Sequence, residues 1–133
     1  MADCCSTPKA APVDCCCGGE SVLIFACSGG SNVGQLTNEA AKKLDQGGVG
    51  KFYCLAGIGG DIAGMMVNAE GADRIIALDG CDVACARKTL ERANLPISCY
   101  VVVTDEGVEK GHHFAISDEE VAGLCARVQE LLA

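Results

Sequence analysis

Basic residues are scarce in this chain. Ten lysines and arginines stand against eighteen acidic residues, a formal net charge of -8. Binding to a phosphate backbone needs clustered Lys and Arg, so no nucleic-acid partner is expected. The same shortage argues against docking on an anionic membrane. No apolar run approaches ~20 residues, so no membrane-spanning helix is expected. Met1-Ala2-Asp3-Cys4-Cys5 has no basic segment followed by an apolar stretch, so no secretory signal is evident and a cytoplasmic location is expected. Tryptophan is absent and aromatics are few, whereas glycine is frequent, at 17 residues, and half of the chain is apolar. That balance excludes a disordered chain and suits one compact domain with many tight turns.

Cysteine is abundant, with eleven residues. In a reducing compartment these are metal ligands or reactive thiols sooner than disulfide partners. Residues 1–19 carry five of them, together with two of the three prolines, and have no apolar periodicity. They read as a flexible, cysteine-rich tail preceding a single domain over residues 20–133.

Within that domain, apolar runs alternate with helical patterns. Ser21–Cys27, Lys51–Leu55, Arg74–Leu78 and Ile97–Val103 read as strands. Asn32–Asp45 reads as a helix with Val33, Leu36, Ala40 and Leu44 on one face. A short helix capped by Asp61 is expected to run to about Ala69. Asp82–Ala93 reads as a further helix, with Val83, Ala86 and Leu90 on one face. Ser117 and Glu120 form a capping box for the last helix. The segment from Asp105 to Ile116 is compatible with a loop or a short edge strand. Strand–helix alternation predicts right-handed crossovers and an α/β fold of the Rossmann-like or flavodoxin-like kind. Such a fold has three layers, with about four mainly parallel strands and helices on both faces. An order with the first strand between the second and third brings three strand ends side by side.

Cys27, Cys54 and Cys81 recur every 27 residues, each at or just after a strand end. Ligands collect outside the carboxyl ends of strands in open α/β sheets. Cys85 follows Cys81 by one helical turn. Four thiolates around zinc need sulfurs roughly 3.8 Å apart, so the loops must curl inward from strands spaced ~4.8 Å apart. Gly29-Gly30 and Gly80, beside the cysteines, allow such curvature. The four cysteines read as one thiolate site. The first amides of the Asp82–Ala93 helix and Arg87 are candidate donors to its negative charge.

Asp79-Gly80-Cys81 followed by Cys85, the loop Cys27–Asn32 (CSGGSN) and Cys54–Asp61 (CLAGIGGD) resemble the DGC-domain family over about residues 20–133. The resemblance implies zinc held by four cysteines, which fall on Cys27, Cys54, Cys81 and Cys85. It implies little about biological role.

Other motifs fail on chemistry. A phosphatase of the Cys-x5-Arg type would need arginine at Val33 to hold the phosphoryl group. No Gly-Lys-Ser/Thr follows the glycine-rich loop, so a P-loop is excluded. Gly57–Ile62 lacks the last glycine or alanine of a dinucleotide fingerprint. Asp79 is expected to shape the turn, cap the next helix or accept hydrogen bonds near Cys81, with a catalytic base as the alternative. His112 and His113 lie in a polar loop that is solvent-exposed or overhangs the site, where a histidine could replace a cysteine ligand or shuttle protons. Cys99 and Cys125 read as core residues. Cys4, Cys5, Cys15, Cys16 and Cys17 are candidates for soft-metal capture, metal transfer or oxidation.

Two functions remain. One is a non-catalytic zinc protein, structural or metal-handling, with iron or copper(I) as alternative ions. The other is a thiol redox or persulfide-transfer enzyme using Cys27 or Cys81. No protein partner can be named from the sequence.

Overall fold

The structure is a computed structural model that describes residues 19–133. The expected tail, apart from Gly19, lies outside the described residues. The domain is a four-stranded, all-parallel sheet in the order β2-β1-β3-β4. The strands are β1 (Val22–Ala26), β2 (Lys51–Phe52), β3 (Arg74–Asp79) and β4 (Cys99–Val102). The helices are α1 (Asn32–Gln46), α2 (Leu55–Gly59), α3 (Ala63–Glu70), α4 (Cys85–Arg92) and α5 (Asp118–Leu132). β1 lies between β2 and β3, as expected.

Alternation along the central strands splits the core in two. Ile24, Ala26, Ile76 and Leu78 face α1 and α5, packing on Val33, Leu36, Ala40, Leu44, Val121, Leu124 and Val128. Leu23, Phe25, Ile75 and Ala77 face the other way, against Ile58, Ala69 and Leu90 of α2, α3 and α4. Both faces of β1 and β3 are therefore dry, which is why these strands read as unbroken apolar runs. None of the described helices is long and apolar enough to cross a membrane.

Ser117 caps α5 through a full capping box with Glu120, as expected. The segment after β4 is a 3-10 turn, Val103–Glu106, followed by a loop rather than a strand. Three expectations fail. Lys51–Leu55 is a strand only over Lys51–Phe52, because Cys54 caps a new helix, α2, at Leu55. Asp61 does not cap α3. It adopts a left-handed φ of 55°, its N–H closes α2 on the Ile58 carbonyl, and Ile62 takes the cap position with no side-chain bond. α4 starts at Cys85, not Asp82, so Val83 is off the helix and 52% exposed, whereas Ala86 and Leu90 are buried.

Candidate metal centre

β1 and β3 are neighbours whose connections leave in opposite directions. β1 leads through α1 to β2 on one flank, and β3 through α4 to β4 on the other. A parallel sheet opens a crevice at such a point, outside the carboxyl ends of its strands. Cys27 directly follows β1, and Cys81 lies two residues beyond the end of β3. The Cys27 N–H donates to the Leu78 carbonyl at 3.0 Å, which holds it in register with β3. Cys54 is the cap residue of α2, and Cys85 is the first residue of α4. Cys27 and Cys54 line a common cleft of about 550 Å³ that also reaches Thr89, whose hydroxyl donates to the Cys85 carbonyl at 2.7 Å. Cys27 and Cys81 are partly buried, and Cys54 and Cys85 are exposed.

All four cysteines thus occupy the same edge. They are not gathered into one shell: among the described residues, no three His, Cys, Asp or Glu side chains stand together as a ready-made metal site.

The first loop is rigidly built. The Ser28 N–H donates to Thr37 Oγ1 at 3.2 Å, and that hydroxyl donates to the Gly34 carbonyl at 2.6 Å. Gln35 Nε2 donates to the carbonyls of Ser28 and Gly29 at 3.1 and 3.0 Å. Ser31 caps α1 by accepting from the Gly34 N–H at 3.1 Å. Cys27 Sγ lies 3.7 Å from Thr37 Oγ1. α1 starts almost on top of the Asp79-Gly80-Cys81 turn. A Cβ on Gly80 would stand 2.8 Å from the Gly34 nitrogen, so glycine is required there for close approach.

Strain falls elsewhere than on the glycines. Ser28, one residue after Cys27, has φ 51°, and Ala84, one residue before Cys85, has φ 60°. A left-handed backbone costs an L-residue roughly 1–2 kcal/mol. Such strain persists only where surrounding structure enforces it, and it clusters at functional sites.

Asp79 is 1% exposed and holds the start of α4. Its carboxylate accepts from the N–H groups of Ala86 and Arg87 at 2.7 and 3.0 Å and from the Tyr100 hydroxyl at 2.9 Å. Burial, reinforced by the hydrogen bond and charge of Asp79, pushes the Tyr100 hydroxyl pKa up. The second and third amides of α4 are thereby committed to Asp79 rather than to sulfur. Arg87 lies 5.4 Å from the centre of the Tyr100 ring and 3.6 Å from Glu91, with no hydrogen bond to a cysteine. His112 and His113 are exposed and engage their own loop: His112 stacks edge-on with Phe114, and His113 Nδ1 accepts from the Ala115 N–H at 3.2 Å. Cys99 is in the core, and Cys125 is partly buried with its sulfur 3.6 Å from the Ala40 carbonyl. Burial raises the pKa of both thiols.

Lys110 escaped the sequence reading. Its ammonium donates to Cys81 Sγ at 3.3 Å. Asn32, only 6% exposed, brackets it: Oδ1 accepts from the Gly111 N–H at 2.7 Å, and Nδ2 donates to the Glu109 carbonyl at 2.8 Å. Asn32 was visible in CSGGSN, but its partners lie more than 75 residues away, in an unpatterned loop.

A model of the DGC domain matches residues 23–128, a span that includes all four edge cysteines. The anaerobic and virulence modulator AnvM of Pseudomonas aeruginosa strain PAO1 is 32% identical over 102 residues, covering 77% of this chain and 78% of the relative. No solved structure matches the chain. With four-fifths of its length matched, the chain belongs to the DGC-domain family.

Proposed function

We propose that this is a zinc-binding protein in which Cys27, Cys54, Cys81 and Cys85 hold the metal as thiolates, in a structural or metal-handling role. The carrying observation is positional. Three adjacent strands, β2, β1 and β3, each deliver a cysteine to one edge, and α4 begins with the fourth. The donors suit zinc in kind, since four sulfurs make the closed tetrahedral set of structural sites. Their present separation means that binding draws the β2–α2 and β3–α4 loops inward, so metal uptake and ordering of the edge are one event. Ser28 and Ala84, the residues next to Cys27 and Cys85, hold left-handed backbone, the kind of local strain that clusters at functional sites. In a reducing cytoplasm these thiols stay available to a metal. A thiolate site is also open to oxidation, which suits the name of the relative, a modulator of anaerobic behaviour and virulence.

One contact favours a second reading, thiol redox or sulfur-transfer chemistry. Cys81 is partly exposed with a cation at its sulfur, the setting of a reactive cysteine.

Purification without oxygen, followed by metal and free-thiol counts before and after chelation, separates the two. About one zinc per chain, with four thiols released only on chelation, is the expected outcome. Serine at any of the four positions should abolish uptake, and Cys99→Ser should preserve it. A metal-free protein that reacts at Cys27 or Cys81 alone would overturn the zinc reading in favour of the second.

A further inference from the structure

We propose that Lys110 is a positioning residue of the thiolate site and that Asn32 serves to hold it there; this rests on the zinc reading above. Four thiolates on a divalent ion leave a net charge of about -2, and such sites depend on donors to sulfur. Two donors expected at this edge from the sequence are engaged elsewhere. The N–H groups of Ala86 and Arg87 donate to Asp79, and the Arg87 guanidinium lies over Tyr100 and against Glu91. Lys110 supplies the missing cation, with Nζ 3.3 Å from Cys81 Sγ.

The placement is built, not incidental. A lysine in a loop ordinarily samples many positions, and a single exposed contact is weak. Here the residues on both sides of Lys110 are fixed by one buried side chain. Asn32 uses Oδ1 for the Gly111 N–H and Nδ2 for the Glu109 carbonyl, and its own N–H donates to the Gly111 carbonyl at 3.2 Å. An unpartnered buried amide would be costly, so the loop and Asn32 lock each other. Asn32 is also the first residue of α1, the helix seated on Gly80 beside Cys81. Lysine and its sulfur are therefore referenced to the same helix end. The ammonium would donate one hydrogen bond to the Cys81 sulfur when that sulfur serves as a ligand.

The test uses the full chain and two metals. Competition with a chromophoric chelator should show K110M weakening zinc binding by about 10–100-fold, the usual effect of losing an outer partner of a metal ligand. K110R should recover most of that loss. N32A should behave as K110M does, and the double variant should be no weaker than K110M alone, because the two residues act as one unit. With cobalt(II), K110M should move the sulfur-to-metal charge-transfer band to lower energy and K110R should restore it, a change that a purely structural lysine would not cause. Wild-type protein that binds zinc through the four cysteines, with K110M matching it in affinity and cobalt spectrum, overturns this inference alone. Wild-type protein that binds neither metal overturns both this inference and the zinc reading.

Discussion

Tyr100 is bonded to the most buried acidic side chain among the described residues. Its hydroxyl donates to Asp79, which in turn fixes the first turn of α4 and hence Cys85. Burial and the neighbouring carboxylate raise its folded pKa above the unfolded value of about 10. Folding therefore favours the protonated hydroxyl. Its stabilising contribution is complete below about pH 10 and is lost as pH climbs through the folded value. The urea midpoints of wild-type protein and Tyr100→Phe should differ by a constant amount from neutral pH to about 10, above which the wild type should lose ground. Parallel curves through the alkaline range would refute the coupling. Asp79 itself was legible in the sequence as a turn-shaping cap. Lys110 was not, because its partner is 29 residues away and nothing periodic marks its loop.

At the scale of elements, legibility followed the strength of local chemistry. The α5 cap was readable because Ser117 and Glu120 satisfy each other within three residues. The central strands β1 and β3 were readable because burial on both faces leaves no polar alternation to confuse them. α2 was missed, since Leu55–Gly59 contains two glycines and has little helical propensity of its own; it forms where Ile58 packs against the sheet. Beside the cysteines it is Ser28 and Ala84, not the edge glycines, that take left-handed backbone, which no composition rule announces. The contact of α1 with the β3 turn is the element-level determinant of the edge. Gly80→Ala would force a methyl onto the backbone of Val33 and Gly34, and overpacking of this kind costs roughly 1–3 kcal/mol. A lower urea midpoint with an unchanged slope, and reduced zinc uptake, are expected. Unaltered stability would mean that the helix shifts freely away from the turn.

For the whole molecule, the sheet order follows from topology. Placing β1 between β2 and β3 sets three cysteine-bearing strand ends together, and the structure has that order. What sequence could not convey is how far the cysteines stand from a finished shell, since loop curvature depends on contacts across the edge. If zinc completes that shell, ligand linkage predicts the gain. At one hundred times its dissociation constant, a ligand specific for the folded state adds about 2.7 kcal/mol. For a domain of this size that is roughly 10 °C in Tm. Thermal unfolding with graded zinc, and again with excess chelator, measures it. A Tm indifferent to both would rule out metal-coupled ordering.

The polarity of the sheet also separates what may vary from what may not. Every cysteine of the edge lies after a strand, whereas the turns at Gly47–Gly50, Gly71–Asp73 and Asn94–Ser98 precede β2, β3 and β4 at the opposite end. The equal interval of 27 residues between Cys27, Cys54 and Cys81 is thus a matter of chain length, not of coordination. A short insertion after Gly48, which is exposed with φ 81°, would abolish the interval and leave the cysteine-bearing edge intact. That end of the domain is the place to splice in a reporter or an affinity tag, and the place where related chains can differ in length without consequence for the site.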